Sequence, residues 1–199
     1  MFRLPRILYL RWFHWGWFLA FILCQVTYHG QASATVAVYL PLKELVLRAD
    51  LAVLGTCEET SSSWGPEGKK IFTYTNIAVE RCLKGNECAD RLTVRQLGGR
   101  VDDITMTVVG SPTFHRGERV ILFLRRSSDS HYLMLGLSQG KFRVTLNPST
   151  GKSYVQNSRG DLTLIDKGDG SSFVDNELVV DQMELETFIA KLESYLPSR

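Results

Sequence analysis

Apolar and polar positions are most sharply ordered in residues 117–144, and the rest of the chain is read around this stretch. Val120, Leu122 and Leu124 interleave with Ile121 and Phe123, so one short strand has two apolar faces. A strand covered on both sides belongs in the middle of a sheet or in a closed barrel, because water penalises either face left open. Gly117, Glu118 and Arg119 precede it and Arg125 and Arg126 follow, so charged residues bracket it at both ends. Two more short strands, each preceded by a turn, complete the stretch.

The same alternation predicts further strands on either side. Pro41 opens a short amphipathic helix through Arg48, and residues 49–57 follow as a strand by their β-branched content. Residues 61–70, with three serines, Trp64, Gly65 and Pro66, read as a loop. Residues 71–83 form a long strand, with Thr73, Thr75, Ile77 and Val79 on one face and Phe72, Tyr74 and Ala78 on the other. Residues 91–97, 104–109, 142–146 and 153–156 are shorter strands, and residues 162–165 a last one. Gly98-Gly99, Gly110-Ser111-Pro112 and Asn147-Pro148 punctuate them. A helix over residues 181–196 closes the chain. Asp181 and Glu184 form a capping box, and Met183, Leu185, Phe188, Ile189, Leu192 and Leu196 recur at helical spacing. Many short strands with Gly and Pro turns define a mainly β fold: a small closed or partly closed antiparallel β-barrel, with a short N-terminal helix and a C-terminal helix.

The first 34 residues are different in kind. Arg3, Arg6 and Arg11 precede an apolar block from Trp12 to Val26, and Ala32-Ser33-Ala34 supplies small residues at the spacing a signal peptidase requires. The block is shorter than the ~20 residues of a spanning helix, so a signal peptide cut after Ala34 is expected, with residues 35–199 as one exported domain. Leu23 stands where a lipoprotein signal needs a small residue, which disfavours a lipid on Cys24. Loss of the leader removes three arginines from 23 basic residues, leaving 20 against 21 acidic, a net charge of −1. No basic excess remains to hold a phosphate backbone, so nucleic acid is excluded as a partner.

The residues 49–55, 79–85 and 117–124 together resemble segments of a group of exported bacterial proteins of unassigned function. Their order of elements is similar to the netrin-like module, the OB-fold-like barrel of tissue inhibitors of metalloproteinases. This resemblance covers residues 41–144 and implies an OB-like core presenting loops to a protein partner. Those inhibitors grip a protease zinc with an N-terminal cysteine. Here Thr35, Val36 and Ala37 stand at the expected mature N-terminus, so zinc-directed inhibition is not implied, and their disulfide framework is missing too.

Candidate chemistry is sparse. Gly136-Leu137-Ser138-Gln139-Gly140 spells the nucleophile elbow of serine hydrolases. That motif needs a strand turning into a helix with a histidine further on, whereas a strand follows here and the last histidine is His131. His115 and His131 have no partner at metal-ligand spacing, so no metal or cofactor is expected. Three cysteines remain after the leader. A hairpin folded near Pro66 puts Cys57 opposite residue 74, about 27 Å along the strand from Cys82. That is too far to bridge, so Cys82 and Cys88 are the candidate disulfide and Cys57 a buried thiol. Trp64, Lys69 and Lys70 on one loop, with Gly98, Gly99, Ser111 and Pro112 on others, are the candidate binding residues at the barrel end. The expected function is non-catalytic binding of another protein or an envelope component, in the periplasm or outside the cell. A hydrolase using Ser138 and a structural envelope component are the alternatives.

Overall fold

The strand with two apolar faces is Arg119–Arg126, fully covered from Val120 to Leu124. In chain order the N-terminal elements are β1 (Val36–Val38), α1 (Leu42–Arg48), β2 (Leu51–Trp64), β3 (Ile71–Lys84), β4 (Arg91–Leu97), β5 (Gly99–Val101) and β6 (Ile104–Met106). There follow β7 (Arg119–Arg126), β8 (Tyr132–Met134), a 3-10 turn (Leu137–Gly140), β9 (Lys141–Leu146) and β10 (Ser153–Asn157). The last are β11 (Thr163–Ile165), β12 (Ser172–Phe173), β13 (Met183–Glu184) and α2 (Leu185–Glu193). This computed structural model describes residues 36–85, 88–157, 163–165, 172–173 and 182–197, all within the unit Thr35–Arg199. The expected leader and its cleavage site, Asp181, and residues 168–171 lie outside the described residues.

The fold is mainly β. Eight strands form one sheet in the order β13-β10-β9-β7-β2-β3-β4-β8, and β8 pairs back onto β7. Five strands, β7-β2-β3-β4-β8, therefore close a ring of pairings. Its neighbours are antiparallel except β4 and β8, which run parallel where Val94 meets Tyr132. A separate sheet orders β1-β11-β12, with β1 and β11 also parallel. The expected sheet is thus mainly antiparallel, with these two parallel pairings beside the antiparallel ones.

Alternation along β7 divides the interior in two. Val120, Leu122 and Leu124 face Leu51, Val53, Ile77, Leu92 and Val94 inside the ring. Ile121 and Phe123 face the other way, toward Leu45 of α1 and Phe188, Ile189 and Leu192 of α2. Phe142 links the layers there, 5.7 Å from Phe123 and 5.0 Å from Phe188 between ring centroids. Each fully buried side chain of this size contributes about 1.5–3 kcal/mol, so α2 is fixed by its apolar stripe. Gly55 is required where β2 bends, because a Cβ there would collide with the Ala78 carbonyl of β3.

Three elements depart from the sequence reading. First, β2 runs on to Trp64, through residues expected to be loop. Its hydroxyl side chains pair with those of β3, which offsets the turn preference of serine. The longer strand also shifts the register, so Cys57 faces Ile77 rather than residue 74. Second, the expected strand over residues 104–109 stops at Met106. Third, α2 spans only Leu185–Glu193 and has no capping box. Met183 and Glu184 pair with β10 instead, and the Glu184 carboxylate reaches Lys152 at 2.9 Å, leaving nothing to cap the helix. Nor is the strand at Thr163–Ile165 the last, since β12 and β13 follow it.

Candidate functional site

The β2–β3 hairpin outruns its neighbour. Pairing of β2 with β7 ends at Thr56, whereas pairing with β3 continues to Trp64 and Ile71. One face of this extension carries hydroxyls at alternate positions. Ser62 and Thr73 are 2.9 Å apart across the strands, and Thr60 and Thr75 3.4 Å. The Thr73 hydroxyl donates onward to the Gly98 carbonyl at 2.7 Å, tying the start of the β5–β6 hairpin to this face. Gly99 must be glycine: its φ is +140°, and a Cβ would fall inside the van der Waals radii of the Ser62 and Thr73 oxygens.

Between this hairpin and residues 111–114 lies a cleft of about 390 Å3. Thr60, Ser62 and Thr73 form its floor, residues 96–100 and 105–108 one side, and residues 111–114 the other. The lining is chiefly apolar and hydroxyl-bearing; Arg100 is its one formal charge, and it includes no carboxylate, histidine or cysteine. Hydrogen-bond donors are abundant, but no base stands beside a nucleophile. The arrangement can hold a chain segment.

The wall at residues 111–114 is anchored from behind by a buried charge. Lys141, with 2% of its side chain exposed, donates to both carboxylate oxygens of Glu118 at 2.8 and 2.9 Å and to the Thr113 carbonyl. Its ammonium also lies 4.7 Å from the centre of the Phe114 ring. Arg143 and the His115 backbone N–H donate to the same carboxylate, at 2.8 and 3.1 Å. Burial alone would raise the Glu118 pKa, but the donors Lys141 and Arg143 more than offset it and hold the group below its ordinary value. Burial draws the Lys141 pKa down, opposed by Glu118. Gln96 donates to the Pro112 carbonyl at 3.0 Å, and the Ser138 backbone N–H to the Gly110 carbonyl at 2.9 Å. Lys141 of β9, Gln96 of β4 and Ser138 of the 3-10 turn thus hold this wall, with Glu118 beside β7.

The structure brings Gly98, Gly99, Ser111 and Pro112 into one site. It does not bring Trp64, Lys69 and Lys70 there. Trp64 ends β2 with 40% of its surface exposed, and the lysines follow in the turn, outside the cleft lining. Cys82 and Cys88 are disulfide-bonded, and Cys57 is a buried free thiol whose pKa burial raises. Ser138 is 1% exposed, in a 3-10 turn that runs into β9 rather than a helix. His131 packs on Tyr74, 5.3 Å between ring centroids, and lies 3.4 Å from Asp129. A second depression of about 820 Å3 borders the disulfide. Of its two cations, Lys84 and Arg126, the first is occupied by three carbonyls, those of Val46, Leu47 and Ala49, at the end of α1.

The sequence reading missed the hydroxyl floor and the Lys141–Glu118 anchor. The first left a signal: Thr60 and Ser62, then Thr73 and Thr75, repeat with period two on either side of the Gly65-Pro66 turn. The second left none, since lysine at the start of a strand reads as solvated. Comparison with models of known protein families and with curated proteins finds no match for this chain.

Proposed function

We propose that the chain is an exported, non-catalytic module that binds another protein through the cleft at the end of its five-strand ring. The observation that carries this reading is the cleft itself: a preorganised, largely apolar groove whose far wall is held rigid by a buried ion pair. Rigid walls reduce the ordering cost of association. The lining holds no acid–base pair, and the buried Ser138 hydroxyl is out of a substrate's reach, which favours binding over hydrolysis.

The ring is read as a small OB-like barrel. Counted from β2, its strands pair as first-second-third-fifth-fourth and back to the first, with the third and fifth parallel, as in five-stranded Greek-key barrels of that class. Export is supported by the leader pattern and by the Cys82–Cys88 disulfide, which persists in oxidising compartments.

Photo-crosslinking tests the reading. Benzoylphenylalanine is placed at Met106 in the cleft or at Leu146, which is 66% exposed and outside it, in an exporting host. A discrete adduct of higher mass from Met106 alone is expected. Adducts from neither position, or equally from both, overturn the cleft as interface; recovery of the chain from the cytoplasm overturns export.

A further inference from the structure

Side chains of a strand point alternately to opposite faces, so a groove lined by side chains touches every second residue. Within its strands this cleft is lined instead by consecutive residues, Gln96 and Leu97 of β4, Gly99 and Arg100 of β5, and Thr105 and Met106 of β6, and elsewhere by the loop residues 107–108 and 111–114. Consecutive lining means that main chain, as well as side chains, faces the groove. The β5–β6 hairpin gives that a direction. Its strands join through two residues, Asp102 and Asp103, with Asp102 at φ +52° and Val101 opposite Ile104. In such a turn the flanking pair exchanges hydrogen bonds, and the next pair, Arg100 and Thr105, turns N–H and C=O outward. Thr105 borders the cleft, and no other strand pairs with β6 among the described residues.

The geometry points to an extended peptide segment of the partner protein as the occupant, added to the free edge of β6. This rests on the reading of the cleft as a protein-binding surface and names what enters it. Main-chain pairing at Thr105 supplies affinity, and an apolar side chain of the segment enters between Val108, Pro112 and Phe114. Arg100 is the one charge in the lining; its Nε donates to the Asp102 carbonyl at 3.0 Å, and no carboxylate residue lines the cleft with it. The segment therefore carries an acidic residue toward Arg100 and no basic one.

The test titrates the isotope-labelled full chain with the blocked heptapeptide Ac-Thr-Val-Thr-Val-Thr-Val-Asp-NH2, followed by amide shifts and hydrogen exchange. Shifts confined to residues 96–100, 105–108 and 111–114 are expected, with new exchange protection at Thr105. N-methylation of the central peptide bonds weakens binding about tenfold or more for each hydrogen bond lost. Replacing the terminal Asp by Lys also weakens it, and Arg100→Ala, on an exposed side chain, abolishes that preference while leaving the fold intact. Thr105→Pro abolishes binding, with an unchanged urea midpoint as its folding control. Equal affinity of the N-methylated peptide overturns the edge-pairing proposal, as does a preference for Lys over Asp. Absent shifts together with a Met106 crosslink sink the peptide proposal alone. Absent shifts without that crosslink sink the cleft reading as well.

Discussion

Replacing Lys141 by Met removes one charge from a buried pair while keeping the length of the side chain. The Lys141 and Glu118 side chains are 2% and 7% exposed, so solvent screens their attraction little. Breaking such a pair on one side costs about 3–5 kcal/mol, because the remaining charge stays buried without its partner. Glu118 keeps Arg143 and the His115 N–H, which places the cost at the lower end, about 3 kcal/mol. The Thr113 carbonyl loses its donor, adding about 1 kcal/mol. Met fills the stem's volume, so no cavity term enters. The expected loss is about 4 kcal/mol, a large share of the 5–15 kcal/mol typical of a domain.

Urea unfolding followed by far-UV circular dichroism measures the loss through a lowered midpoint at unchanged slope. The double variant Lys141→Met with Glu118→Leu removes both charges. It should recover at least about 2 kcal/mol of the sum of the single effects. Hydrogen exchange at residues 111–117 should quicken in the single variant while β2 and β7 remain protected. A loss under about 1 kcal/mol, or additive single effects, refutes the claim that this pair anchors the cleft wall.

The other expectations are more local. Cys82→Ser with Cys88→Ser releases a seven-residue loop and should cost about 2 kcal/mol by chain entropy, read from urea midpoints without reductant; an unchanged midpoint refutes it. Glu118 and Glu80 are each held below their ordinary value of 4.5 although burial opposes it, Glu80 by Arg119 and Thr56. Their stabilisation is complete above that value and is lost as pH falls through each lowered pKa. Glu118→Gln should flatten the acid limb of a stability–pH profile more than Glu80→Gln, whose side chain is 34% exposed. Ser138→Ala should leave ester turnover at the rate of buffer alone, as in the unchanged chain; enzymatic turnover lost in the variant restores the hydrolase reading.

What could be read from sequence followed from rules that act within one strand or helix. The two faces of residues 120–124, the length of β3 and the stripe of α2 are consequences of side-chain period, and each was visible. The Cys82–Cys88 bridge was visible too, by elimination of Cys57 along the β2–β3 hairpin, although Cys57 faces Ile77 rather than residue 74. Residues 61–63 misled because serine favours turns by bonding to its own backbone. Here Ser62 bonds instead to Thr73, eleven residues away, a partner that composition cannot reveal. Glu184 misled for a similar reason, since Lys152, not the helix amides, takes its carboxylate.

The most legible strand and the least legible feature of the site are physically one object. Glu118 immediately precedes β7, and Lys141 opens β9, where it pairs opposite Leu122. The period of two that drives Leu122 into the ring also turns the Lys141 side chain away from water. A lysine there needs an anion, and the nearest chain end that can supply one is the polar flank of β7. The loop from Gly110 to Gly117 is consequently drawn against the ring by a carboxylate at one end and a carbonyl at Thr113. An apolar pair in place of Lys141 and Glu118 would pack as well, but it could neither donate to Thr113 nor hold the His115 amide. The buried charge is therefore better explained by the shape of the cleft wall than by stability.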